Sequence, residues 1–144
     1  MIPIKDLRIG DLVKTTTRNP VLEKGSICKV VLIDALINSI IVQKSNIDVC
    51  RCLVKEEVEG VPLTPEILEK NGWDKRHAPT SSCDIYSKGK GAFYVRLEQS
   101  IYKKQEGFDC VVADSTYRFG NKLQYVHQLQ HILWALGEGT NLKI

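Results

Sequence analysis

Three small groups of residues in this chain have types and spacings that could do chemistry. His127 and His131 stand four apart, so on a helix both imidazoles leave the same side, a spacing that suits two metal ligands. A zincin would carry a glutamate directly after the first histidine. Gln128 stands there instead, and a third ligand would have to come from His77, a cysteine or a carboxylate elsewhere. The competing reading is a polar helix face shared with Gln124, Gln128 and Gln130, and no metal is assigned. Cys50 and Cys52 fall on one face of a strand, since side chains alternate with period two. A structural zinc site normally adds a second pair at knuckle spacing, which the chain lacks, so these thiols read as small buried hydrophobes.

The third group is basic. Lys88-Gly89-Lys90-Gly91 could offer backbone N–H groups and two ammonium groups to a phosphate, but it lacks the P-loop spacing and no helix start follows it. From Trp73 to Gln105 there are seven basic residues against three acidic ones, a net charge of +4, while the whole chain carries +3. Tyr86, Tyr94 and Tyr102 are interleaved with this charge. Lys88, Lys90, Arg96 and Tyr94 therefore form a candidate ligand site, with cations for phosphate and a ring for base stacking. Solvated strands with ordinary tyrosines would show the same residues. No catalytic set emerges: Ser81, Ser82 and Ser115 lack a Gly-x-Ser-x-Gly context, and Glu56-Glu57 on a strand would face opposite ways.

The elements that must position these groups come from hydrophobic patterning. Tyr125, Leu129, Ile132, Leu133 and Leu136 mark one face of a helix over 125–136, and Gly137 stands where such a helix stops. Thr64 is a good N-cap and Pro65 suits the first helical position, which predicts a two-turn helix at 64–71 ended by Gly72. Upstream, short β-branched runs at 12–13, 27–33, 40–42 and 49–58, with corners at Gly10, Gly25 and Ser45-Asn46, predict a small, strongly bent β-barrel. Asp74 to Ser82 is polar and reads as the boundary between halves. After it, runs at 83–86, 92–98, 101–104, 108–113 and 116–119 predict an antiparallel meander. Phe93, Val95 and Leu97 alternate with Tyr94, Arg96 and Glu98, giving one buried and one wet face. The tail 141–144 could add a short edge strand.

The chain has 144 residues, enough for one domain or two small ones sharing a core. Its 43% hydrophobic and 26% charged content exclude global disorder, and +3 falls short of a dedicated nucleic-acid binder. The longest apolar run, 30–42, is broken by Asp34, Asn38 and Ser39, so no membrane helix is expected. The start, Met-Ile-Pro-Ile-Lys-Asp, has neither the basic nor the apolar region of a secretory signal. With five cysteines, an odd number, reduced thiols in a cytosol are expected.

Two longer stretches carry a resemblance: Val-Pro-Leu-Thr-Pro-Glu-Ile-Leu-Glu-Lys-Asn-Gly-Trp at 61–73 and Tyr-Val-His-Gln-Leu-Gln-His-Ile-Leu-Trp-Ala-Leu-Gly at 125–137. With the opening Leu-Arg-Ile-Gly-Asp-Leu-Val, they resemble small proteins of Bacteroides phages and prophages, a family without an established activity. The resemblance is weaker over 74–122. It implies a phage-related protein in a bacterial host cytoplasm and transfers no catalytic residues. The N-terminal pattern is also similar to small Src-homology-type barrels, an analogy of fold alone.

The sequence therefore predicts an α+β protein. A barrel with a capping helix occupies 1–73. A meander and a C-terminal amphipathic helix packed on the sheet occupy 74–144, and the whole is read as one compact unit. The leading functional expectation is a phage-related, non-enzymatic interaction module without cofactor or metal. It would bind a host or phage protein through the barrel edge or the terminal helix, with Tyr125, His127, His131 and Trp134 at the contact. The alternative is a protein that binds or sequesters a nucleotide or nucleic acid through the basic meander. No membrane is expected, and a homo-oligomer is compatible with either reading. A third class, a metal-dependent enzyme built on His127 and His131, rests on their spacing alone.

Overall fold

The structure, a computed structural model, describes residues 2–17, 22–44, 50–78, 82–90, 93–102, 106–112 and 117–144, without the side chains of Cys50, Arg51, Cys52, Lys55, Lys90, Phe93 and Tyr117. The expected corner at Ser45-Asn46, Pro79, Ser81, Lys103, Lys104 and Ser115 lie outside the described residues. Chain contacts define two units, Met1–Val61 and Pro62–Ile144. The sequence reading places the break after Trp73; by contacts, the first α-helix groups with the second sheet.

The first unit is an antiparallel sheet of β1 (Leu12–Thr15), β2 (Ile27–Asp34), β3 (Ser39–Gln43), β4 (Cys50–Val54) and β5 (Val58–Gly60), in the order β4-β3-β2-β1-β5. Alternation sends Val13, Cys28, Val30, Ile40, Val42, Leu53 and Val58 inward, where Ile2, Ile4, Leu7 and Leu22 complete the core. The run expected as one strand over 49–58 is two. A 3-10 turn at Lys55–Glu57 divides it, and the Glu57 carboxylate accepts the Val54 N–H at 3.1 Å. That break lets Val58 to Gly60 leave β4 and pair with β1. A register shift between Val30 and Leu32 bends β2.

The second unit begins with α1 (Pro65–Lys70), whose N-cap Thr64 accepts the Ile67 N–H through its hydroxyl at 3.4 Å. Its sheet runs β10-β9-β8-β7-β6, from β6 (Asp74–Ala78), β7 (Cys83–Lys90), β8 (Phe93–Ser100), β9 (Asp109–Val112) and β10 (Tyr117–Arg118). The polar stretch read as a linker supplies β6. It has no apolar alternation because it is an edge strand, paired on one side with β7. Tyr86, Val95, Leu97 and Cys110 form the buried face of this sheet. Tyr94, Arg96 and Glu98 lie opposite and are half-buried rather than wet.

Helix α2 (Val126–Ala135) buries Val126, Leu129, Ile132 and Leu133. Its expected stop holds: Gly137 takes φ +73, its N–H bonds the Trp134 carbonyl at 3.0 Å, and the Glu138 N–H bonds Leu133 at 2.8 Å. These are the two bonds of a Schellman closure. The tail beyond is no strand. Gln130 donates to the Thr140 carbonyl at 3.0 Å, and the Asn71 side chain both donates to the Lys143 carbonyl and accepts its N–H, each at 2.8 Å. The fold is thus α+β, two antiparallel sheets with helices. No helix among the described residues is long and apolar enough to cross a membrane.

Candidate functional site

On α2 the sequence-selected residues separate by depth. Tyr125 is the N-cap residue, and the Gln128 amide oxygen accepts the Gln124 and Tyr125 N–H groups at 2.7 and 3.0 Å. The glutamine that interrupts a zincin pattern therefore serves the helix start. His127 is buried, only 4% exposed. Its ring stacks on Tyr125 with centroids 5.7 Å apart, and His131 meets it edge-on at 5.8 Å. Helical spacing puts His127 outside the apolar stripe, yet this ring ladder covers it. Among the described residues no group of three histidine, cysteine or acidic side chains could hold a metal. Trp134, in the last turn, is 66% exposed.

The basic meander is divided by its register. Lys88 faces Val95 across the β7–β8 ladder, whereas Ser87 faces Arg96 and Gly89 faces Tyr94. Lys88 and Lys90 thus belong to the sheet face of Val95, and Tyr94 and Arg96 to the other. The charge is partly neutralised in place. Arg96 pairs with Glu98 at 2.8 Å, and Arg118 approaches the same carboxylate at 3.6 Å. Lys75 lies 3.6 Å from Glu69 and 3.8 Å from Asp84. Lys88 donates to the Asn71 carbonyl at 3.1 Å, at the C-terminal end of α1, where a cation is favoured.

Lys88 also lines a pocket with Gly89, Val95, Leu133, Leu136 and Glu138, so this end of α2 lies against β7 and β8.

No family model matches this chain, and no curated protein or solved structure matches it.

The structure adds a surface that the sequence reading does not single out. The β2–β3 turn, Ala35 to Asn38, is closed by Asp34, whose carboxylate accepts the Leu36 and Ile37 N–H groups at 3.0 and 3.3 Å. Asn38 completes it at φ +53, a conformation asparagine tolerates. Leu36 is 97% exposed and Ile37 65%. Inward positions of this hairpin pair as Ile33, Ile40 and Leu53, so Leu32 and Val54 fall on the outer face, where both are exposed. The available signal was a turn bracketed by Asp34 and Asn38 yet filled with leucine and isoleucine, where polar residues are usual.

Proposed function

We propose that this chain is a non-enzymatic interaction module that binds a protein partner through the β2–β3 hairpin. One observation carries the reading: two aliphatic side chains, Leu36 and Ile37, are held in water on a turn braced by Asp34. Single exposed hydrophobics are ordinary. A cluster with Leu32 and Val54 beside it has the character of a contact surface. Trp134, exposed on α2, offers a second contact of the residue type that dominates interface energetics.

Within this reading, the first sheet curls into a small barrel of Src-homology type. Its strand order, with a 3-10 turn between β4 and β5, supports that closure. The partner is a host or phage protein met in the bacterial cytoplasm, as the motifs at 61–73 and 125–137 imply.

The test compares affinity capture from a bacterial lysate by the wild-type chain, the Leu36→Asp/Ile37→Asp variant and Trp134→Ala, with circular dichroism checking that each is folded. Loss of specific captured proteins with the hairpin variant is the expected result. An identical captured set from wild type and a folded hairpin variant sinks the proposal.

A further inference from the structure

The pocket at the C-terminal end of α2 has an arrangement that protein binding through the hairpin does not use. Val95 of β8 and Leu133 and Leu136 of α2 give it aliphatic walls, and Lys88 and Glu138 bring one cation and one anion to it. The Lys88 ammonium donates to the Asn71 carbonyl at 3.1 Å, which occupies one of its three N–H groups. Glu138 is anchored by its backbone bond to Leu133, while its carboxylate makes no hydrogen bond or ion pair with any described residue. The two charges therefore line the same pocket without closing on each other.

A separated cation and anion beside aliphatic walls are the complement of a zwitterion that carries a hydrocarbon group. The pocket spans about 290 Å³ including its open mouth. That is the bottom of the range for small-molecule sites, roughly 300–1,000 Å³. Such a space suits one amino acid and is small for a nucleotide, and no aromatic ring among the described residues lines it for a base to stack on. We propose that this pocket binds a free α-amino acid with an aliphatic side chain, of which leucine is the representative. The carboxylate meets Lys88, the ammonium meets Glu138, and the side chain lies against Val95, Leu133 and Leu136.

The experiment is a titration of the full chain with L-leucine, followed by amide NMR. Saturable shifts are expected at 88–89, 95 and 133–138. 3-Methylbutanoate lacks the ammonium, 3-methylbutylamine lacks the carboxylate and glycine lacks the side chain. Each should bind about tenfold more weakly or worse, the usual loss when one charged or apolar contact is missing. Glu138→Gln should weaken leucine about tenfold and leave 3-methylbutanoate unchanged. It is the decisive variant, because Lys88→Gln also removes the contact to α1. The Leu36→Asp/Ile37→Asp variant should bind leucine as the wild type does, so that a failed hairpin hypothesis and a failed pocket are distinguishable. No shifts at millimolar leucine, an unaffected Glu138→Gln, or displacement of leucine by adenosine monophosphate would overturn the proposal.

Discussion

The two sheets treat their margins in opposite ways. At the edge of the second sheet, β6 exposes Asp74, Lys75, Arg76 and His77 in succession. Charges on an edge strand discourage another chain from pairing with it. At the turn of the first sheet, Leu36 and Ile37 stand in water with Leu32 and Val54 beside them. One margin is protected against company, and the other invites it. The lesson is to judge a surface by what it fails to protect. An exposed charged strand is ordinary, whereas a braced aliphatic turn calls for a partner. The same contrast extends inward. The first unit rests on an alternating side-chain core, while the second adds close backbone approach and side-chain clamps such as Asn71 on the tail.

The largest expected effect tests that inward contrast. Phe108 and Leu123 exchange two backbone hydrogen bonds at 2.9 and 2.8 Å. Gly107 beside them has φ +88, and a Cβ there would collide with the Leu123 carbonyl oxygen. Gly107→Ala combines a backbone clash with an unfavourable φ, and should cost roughly 2–4 kcal/mol in a denaturant titration. Gly137→Ala has a similar φ of +73 but open space around it, and should cost only about 1–2 kcal/mol. Equal losses would mean that conformation alone matters, and that close approach does not hold the second unit.

The two buried cysteines sharpen the comparison at intermediate size. Burial pushes the Cys110 thiol from 9.0 up to about 12. Burial also raises Cys28, but Lys44 pulls it back. A folded-state value above the unfolded one means that the native chain holds the proton longer. The Cys110 contribution is thus complete below pH 9 and is lost as pH rises toward about 12, at about 1.4 kcal/mol per pH unit. Urea titrations stepped from pH 8 to 11 should show a shallower decline for Cys110→Ala than for wild type, with a smaller flattening for Cys28→Ala. Parallel curves for all three proteins would remove desolvation of the second core as the cause.

What could be read from the sequence follows the same division. Strands β1 to β3 and helix α2 were legible because their burial is one-sided, and one-sided burial leaves a period in the sequence. The stop of α2 was legible because Gly137 has one conformational use there. Strand β6 was not, since an edge strand with exposed side chains has no apolar period and resembles a linker. The break at Lys55 to Glu57 was hidden inside a continuous β-like run, because it depends on Glu57 reaching back to Val54. Among candidate site residues, the exposure of Trp134 was legible from helix geometry. The burial of His127 was not, since it depends on the Tyr125 ring stacked against it. Lys88 and Arg96 looked like one basic patch in one dimension, and strand register alone puts them on opposite faces.

The smallest expected effect bears most directly on the margins. Leu36 is 97% exposed, so the folded state has almost no apolar burial to lose there. Leu36→Asp should change the unfolding free energy by no more than about 0.5 kcal/mol. The added repulsion with Asp34 fits inside that bound, because salt screens exposed charges. Leu53, on the strand next but one in the same sheet, is 1% exposed, and Leu53→Ala should cost about 2–5 kcal/mol. A near-neutral Leu36→Asp that also abolishes partner capture would show a side chain kept for contact rather than for folding. A Leu36→Asp as damaging as Leu53→Ala would instead place Leu36 in a core, and the opposition between an inviting and a protected margin would collapse.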